Sequence, residues 1–573
     1  MIKKGMTLIL LGLVLVLALA ACGSRNNDDN QATTGTENQN QDDTDAPAPP
    51  PTPTPSDTAT GDVYEAQGFG LPFSTEGEIT LFMWSGSGTW LPDIGRNYIP
   101  AEQLMAGQDA QVHAAAQAFN QIFPNIQINL YARYGGPNAD DITWDQYREN
   151  FRMERGFFPD IFTVDNLVDD MVRGMIADLT IFEDDPRVQT FNPALLDLGR
   201  INGRLFALPQ YLLPWGIYVN YSLAEAQNID VPPPNWTFDE YLRFVGHSSH
   251  AEFYGAMAPL WVLADSGTRD FHYLLANRGP NDPFVRVNSE PTRNILSRLT
   301  VNNEHLVWPN SGDIYEFMGE NWWWSHRFFR NGRLLTNDGD PWMMGALATP
   351  GTDGTATMAG WDIYPRPSTP YMGNHLGVVF DPIAIHNMAM NDGNPELSPE
   401  EYRQLAIAFE FVQFMVADTR SWEARANQRF NTGDGMSYAL HDSFPMVIGP
   451  EFDAQMALWF QAGRQRFADA NLMPGFQYVI QLWEDGQVVN FSDKVVPWRH
   501  EFEGSSSLIM HEWINKWDAE ITGAGDSEPH WIDMLFSRLP DWDRQFNDRF
   551  TEAWQAIDNA ILTFYPEQVR GGR

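Results

Sequence analysis

Residues 203–220, GRLFALPQYLLPWGIYVN, constrain the fold more than any other stretch. A turn at Asn202-Gly203 launches a short apolar run over 205–208, Pro209 and Pro214 interrupt it, and 217–219 resumes an extended pattern. Proline has no backbone donor, so neither proline suits a central ladder position. The stretch therefore reads as two strands joined by a stiff connector that passes between compact bodies, with Tyr211 and Trp215 at the crossing. A cleft is expected there.

Residues 1–22 stand apart from the fold. Lys3 and Lys4 form a positive start, 8–19 an apolar core, and Leu19-Ala20-Ala21-Cys22 a small-residue cleavage site. The apolar run is shorter than the roughly 20 residues that span a bilayer. The segment resembles a bacterial lipoprotein signal, in which Cys22 would be lipidated and become the mature N-terminus. Cys22 is also the only cysteine, so the mature chain has no disulfide and no thiolate cluster for a metal. From 23 to 62 the composition falls to Asn, Gln, Asp, Thr and Pro with almost nothing apolar, the signature of a disordered tether. Its reach, if flexible, is roughly 35 Å.

The rest of the chain carries the core formers, enough for two or three compact units. A formal charge of −39 argues against nucleic acid or an anionic membrane surface as partner. The 21 Trp and 18 Tyr exceed what an average core needs, and many stand beside Gly, Asn or Pro, where flat rings suit the faces of a ligand such as a sugar. Most individual tryptophans still belong to a core. Residues 78–83 alternate as a strand that runs into a Gly-rich loop after Trp84. The next segment puts Val112, Ala115, Ala116, Phe119, Ile122 and Phe123 on one helical face, and Pro124 ends it. Strands follow over 126–130 and 158–164, the second ending at Asp165-Asn166. This order predicts a mostly parallel α/β sheet, with Trp84 and Asp165 on the rim where such sheets bind ligands. Thr237 and Glu240 form a capping box, while 333–342, 362–365 and 373–379 read as later passages between the bodies.

Four features together resemble a known family. They are the strand–Trp84 opening with the helix ending in Phe119-Asn120-Gln121-Ile122-Phe123-Pro124-Asn125-Ile126, then Pro159-Asp160-Ile161-Phe162 with Gly174-Met175-Ile176-Ala177-Asp178-Leu179, the stretch 202–220, and Pro234-Asn235-Trp236-Thr237-Phe238-Asp239-Glu240. In order and spacing the chain resembles extracellular solute-binding proteins of family 1, the maltose-binding-like receptors of carbohydrate ABC transporters. The resemblance is good over 75–245, fair over 325–420 and poor beyond about 450. It implies a periplasmic-binding-protein-like fold of two discontinuous α/β lobes joined by hinge strands around a cleft. The expected division is 1–22 signal, 23–62 linker, 63–209 with 334–379 as the first lobe, and 210–333 with 380–573 as the second. The implied partners are a sugar or oligosaccharide, the permease subunits of an ABC transporter, and the membrane through the lipid on Cys22, on the extracytoplasmic side. No cofactor is implied, and a monomer is expected.

Trp84, Trp215 and Trp342 are the stacking candidates, since each lies beside a break in a strand on or near a crossing. One or two of the three are expected to face the ligand and the remainder the core. Asp165 is the leading hydrogen-bonding candidate, because a carboxylate at a strand's end can accept from two neighbouring hydroxyls; its other reading is a helix N-cap. Asn374 and Asp338 are further candidates, both in turns where Asn and Asp also occur for backbone reasons. The maltose-binding pattern has a glutamate in the first crossing where this chain has Leu213, which leaves the particular sugar open. The competing classes are a cell-surface glycoside hydrolase and a carbohydrate sensor or adhesin. A hydrolase needs two spaced carboxylates, and 75 acidic residues supply pairs such as Asp169-Asp170 and Asp184-Asp185 by chance. No GxSxG elbow or HExxH is present, and His247-x-x-His250 reads as solvated surface rather than a metal site.

Overall fold

The computed structural model describes residues 70–85, 90–97, 107–134, 144–164, 166–249, 252–257, 286–301, 306–307, 325–337, 360–391, 393–431, 436–438, 444–462, 464–490 and 528–565, with positions 99, 104, 267, 344, 347 and 494. The expected signal and linker, Cys22 included, lie outside them, as do Trp322, Trp323 and Trp324.

The chain builds one sheet, leaves it for a second, and returns. β1 (Gly77–Ser85) is buried at every position from 79 to 83, so it is covered on both faces as parallel α/β strands are. β2 (Trp90–Leu91) pairs antiparallel with β3 (Ile126–Tyr134), and β3 runs parallel to β1 in unbroken register. The helix Gly107–Ile122 between them buries Val112, Ala115, Ala116 and Phe119, the face its sequence period dictates. β4 (Ile161–Thr163) joins β1 on its other side, again parallel. β5 (Arg200–Ile201) and β6 (Arg204–Leu205) then form a hairpin with φ of 50° at Asn202 and 76° at Gly203. Positive φ at both central residues is what the Asn-Gly pair supplies most cheaply.

β7 (Leu208–Trp215) corrects the expectation of a connector. It is a single strand that contains both prolines, Pro209 opposite Pro382 and Pro214 opposite Val378. Among the described residues it pairs along one edge only, so the ladder asks no proline for a donor on its open side. Gly216 then turns the chain into β8 (Ile217–Asn220), which with β9 (Tyr254–Met257), β10 (Leu306–Val307), β11 (Leu334–Asn337) and β12 (Trp361–Tyr364) makes a second sheet in the order β10-β9-β11-β8-β12. The return is β13 (Leu376–Ile385), antiparallel to β7 over most of its length and paired with β4 at its far end. β14 (Arg429–Asn431) and β15 (Met436–Tyr438) pair with each other, and β16 (Val488–Asn490) adds to the start of β13.

β7 and β13 thus cross as an antiparallel ribbon between two α/β lobes, widened by β16 at the start of β13. The lobe boundaries differ from those expected: β11 and β12, placed by sequence with the first lobe, pair with β8 in the second. Conversely, the helix Pro399–Ala417, placed with the second lobe, packs on the first, with Phe411 and Phe414 at 5.2 and 5.4 Å from Phe119. The turn over 338–342, which resembled part of a passage back, lies outside the described residues; β13 is a return from the second sheet to the first.

Candidate functional site

Because β1, β3 and β4 are parallel, their carboxyl ends at Ser85, Tyr134 and Thr163 share one rim of the first lobe. The ribbon leaves from this rim. Ile383 of β13 pairs with Thr163 on one side and Leu208 on the other, so both crossing strands depart at the level of Thr163. Two steps along, the register shifts: Pro382 faces Pro209 while Asp381 faces Tyr211, which leaves Gln210 as an extra residue, a β-bulge.

Bulges re-aim side chains, and this one creates a buried polar pair. The Thr163 hydroxyl donates to Gln210 Oε1 at 2.8 Å, and Gln210 is 2 % exposed. Its Nε2 has no hydrogen-bond partner among the described residues. A buried amide with an unused donor carries a desolvation cost that a ligand or water oxygen would relieve. Across the ribbon Asp381 ion-pairs with Lys494. The ribbon ends in a tight joint, for a Cβ on Gly216 would lie 2.5 Å from Ile363 Cγ2 and 2.6 Å from the Tyr364 carbonyl oxygen. Trp215, just before that joint and opposite Gly377, is half-buried.

The other sequence candidates divide as follows. Trp84 is the penultimate residue of β1, opposite Arg133, which puts its backbone on the rim. Its side chain, together with Asp165, Asp338 and Trp342, lies outside the described residues. Asn374 is engaged in holding backbone: its Nδ2 donates to the carbonyls of Trp236 at 2.8 Å and Arg366 at 3.1 Å, and the Tyr478 hydroxyl approaches its Oδ1 at 3.5 Å. The turn reading explains it better than ligand contact. His247 Nδ1 lies 3.2 Å from the Phe244 carbonyl at the end of its helix, and no cluster of metal-ligating side chains occurs among the described residues. His250 lies outside them.

Sequence reasoning missed Asp362, a carboxylate of the second lobe that accepts four hydrogen bonds among the described residues. It is fully buried in β12 and accepts from the Gly475 and Phe476 N–H groups at 2.6 and 3.1 Å, from the Ile363 N–H at 2.7 Å and from the Tyr221 hydroxyl at 2.9 Å. Gly475 and Phe476 are in the first turn of the helix Pro474–Glu484, whose unsatisfied amides attract an anion. Burial nevertheless wins and pushes the carboxyl up to about 6, against the pull of those amides. The same burial, with the neighbouring carboxylate, raises the Tyr221 hydroxyl well above its ordinary value. Asp362 pins that helix beside the ribbon, where β16 follows. A lone aspartate within an otherwise apolar strand, Trp361-Asp362-Ile363-Tyr364, was the only signal for it.

No protein-family model matches the chain, and no curated protein matches it in sequence. Solved structures do. The sugar-binding protein MalE of Xanthomonas citri matches at 13 % identity and a TM-score of 0.51, over 82 % of this chain and 99 % of that one. An ABC substrate-binding protein of Listeria monocytogenes, solved in complex with cycloalternan, matches at 14 % and 0.50 over 82 % and 99 %, and a sugar transporter protein of Rhizobium etli, in an open conformation, at 14 % and 0.50 over 81 % and 99 %. The chain has the two-lobe α/β fold of sugar-binding ABC transporter receptors.

Proposed function

We propose that this protein captures a sugar or oligosaccharide outside the cytoplasm and delivers it to an ABC transporter permease, held to the membrane by a lipid on Cys22. Fold alone does not define activity. The observation that carries the reading is the crossing itself, where a half-buried Trp215 and the unsatisfied amide of Gln210 lie on the ribbon that joins the two lobes. A ring for stacking and amides for hydroxyls are the equipment of a carbohydrate cleft. The likeness to sugar-binding receptors points the same way. The role is binding rather than hydrolysis, since closure needs only a ligand that prefers one lobe arrangement to the other.

A thermal-shift screen over mono-, di- and oligosaccharides tests it. A cognate sugar at about 100 times its Kd adds roughly 2.7 kcal/mol to the folded state. Trp215→Ala is expected to weaken that sugar's binding by on the order of 2 kcal/mol, about thirtyfold, and the sugar should be recovered intact. Slow cleavage of an oligosaccharide, abolished by removing one carboxylate, would replace the receptor with a hydrolase. For the anchor, cell fractionation should find Cys22→Ser released from membranes; retention would refute it.

A further inference from the structure

The helix Glu528–Phe564 touches both lobes. Its C-terminal half is buried on the first: Phe550, Trp554 and Ile557 are almost wholly covered, and a Cβ on Gly174 would lie 2.7 Å from the Phe564 ring. Tyr565, just beyond, is the anchor. Its hydroxyl lies 3.0 Å from the Met171 carbonyl and 2.9 Å from that of Ile176, while Arg204 donates to the Tyr565 carbonyl at 2.8 Å. Met171 belongs to the short helix Leu167–Val172 that follows the rim of β4.

The N-terminal half meets the second lobe through the helix Glu290–Val301, whose Arg298 ion-pairs with Asp239 and lies 5.0 Å over the Phe238 ring. Arg293 donates to the Phe536 carbonyl at 3.0 Å, and its guanidinium lies 4.9 Å from the Phe536 ring centroid. That carbonyl is available for a reason written in the sequence. In an α-helix it would accept the N–H four residues on, but residue 540 is proline and has none. The residue that costs the helix one hydrogen bond leaves its acceptor to the other lobe. Close by, the Asn288 N–H approaches Asp543 Oδ1 at 3.4 Å.

We infer that Glu528–Phe564 is a strap between the lobes, fixed to the first by Tyr565 and latched to the second by Arg293 on the carbonyl that Pro540 leaves free, and that the latch restrains lobe motion in the unliganded protein. The two ends differ in kind. The Tyr565 end is enclosed, whereas the latch residue Arg293 is half-buried. Lobe rotation about the β7/β13 ribbon must either carry the strap along or open that latch. The inference rests on the receptor reading only in supposing that the lobes move.

The test is a distance distribution from paired spin labels on Met153→Cys and Glu225→Cys, one exposed position on each lobe, in the full chain carrying Cys22→Ser. Arg293→Ala should broaden the ligand-free distribution relative to the parent, and Arg293→Lys, which keeps a donor, should broaden it less. Pro540→Ala is the sharper probe. It restores an N–H that competes with Arg293 for the Phe536 carbonyl, so the helix gains a bond while the latch loses one, and the distribution should broaden although thermal stability does not fall. Ligand-free distributions of Arg293→Ala and Pro540→Ala that superimpose on the parent would overturn the strap. A parent distribution that no sugar alters would instead count against the proposed function and leave the ligand-free comparison standing.

Discussion

The ring cluster around Phe119 in the first lobe and the rings around Asp362 in the second are held together by different chemistry. In the first, Phe119 lies 4.8, 5.2 and 5.4 Å from Phe123, Phe411 and Phe414, and Phe182 stacks on Phe409 at 4.1 Å. These rings carry no polar atom, and their packing is directed by shape alone. In the second, several rings have polar handles and use them: Trp236 Nε1 donates to the Pro365 carbonyl at 2.9 Å, the Tyr364 hydroxyl to that of Pro232 at 3.0 Å, and the Tyr221 hydroxyl to Asp362, beside plain ring packing of Phe467 on Trp361 and Phe476. A five-stranded sheet with short strands offers little ladder to fix its covering segments, so hydrogen bonds place them. Loss of a ring should therefore be the costliest change in the first lobe and loss of a partner in the second.

The largest effect is expected at Phe119. Phe119→Ala empties a fully buried site between two helices and should cost about 3 to 5 kcal/mol, read from denaturant unfolding. Because no ionisable group is involved, the loss should be the same at pH 5 and pH 7.5. A cost that depends on pH would mean that this ring cluster is coupled to an ionisable group.

Asp362→Asn should cost about 1 to 3 kcal/mol, because an amide nitrogen would then face backbone N–H donors. This loss should depend on pH. The folded carboxyl, at about 6, holds its proton more tightly than an unfolded aspartate, so its contribution is complete below the unfolded value of about 3.9 and fades as pH rises through 6. The gap in melting temperature between parent and variant should accordingly narrow from pH 4.5 to 7.5. A widening gap would mean that the amides, not burial, dominate. The first lobe has groups of the same kind: burial pushes Asp160 up to about 6 while Thr80 N–H and Gln404 Nε2 donate to it at 2.7 and 3.0 Å, and burial also raises Glu410 although Arg187 pairs with it. Measuring the Asp362 gap against the parent removes those contributions from the comparison.

What the sequence disclosed follows the range of the interactions. The Asn202-Gly203 hairpin and the capping box of Thr237, whose N–H donates to Glu240 at 2.7 Å, are settled within four residues and were legible. The helix face through Phe119 was equally plain. Lobe membership of 334–379 was not, because the strand that β11 and β12 pair with, β8, is more than a hundred residues away and either sheet would accept such short apolar runs. Polar burial is hidden for the same reason: Gln210 gains its partner 47 residues away and Asp362 gains Gly475 at a separation of 113. No local pattern distinguishes them from surface residues. Pro540 illustrates the reverse, since a helix-breaking residue is conspicuous in sequence while the arginine that exploits it can be found only in three dimensions.

The smallest effect is expected at Asn374, and it bears most directly on the cleft. This side chain was a ligand candidate by sequence, yet both its amide protons are spent on the Trp236 and Arg366 carbonyls, which fastens the segment between β12 and β13 to the start of the helix Phe238–Val245. Asn374→Ala should cost about 1 kcal/mol of stability. It should leave sugar affinity unchanged, whereas Trp215→Ala weakens it while the protein stays folded. Paired titrations of the two variants with the cognate sugar therefore separate the ribbon's open surface from the backbone fastening behind it. Should Asn374→Ala weaken binding as much as Trp215→Ala at unaltered melting temperature, the amide would be exchanging its carbonyl partners for sugar hydroxyls on closure, and the polar fastening of the second lobe would itself be part of the site.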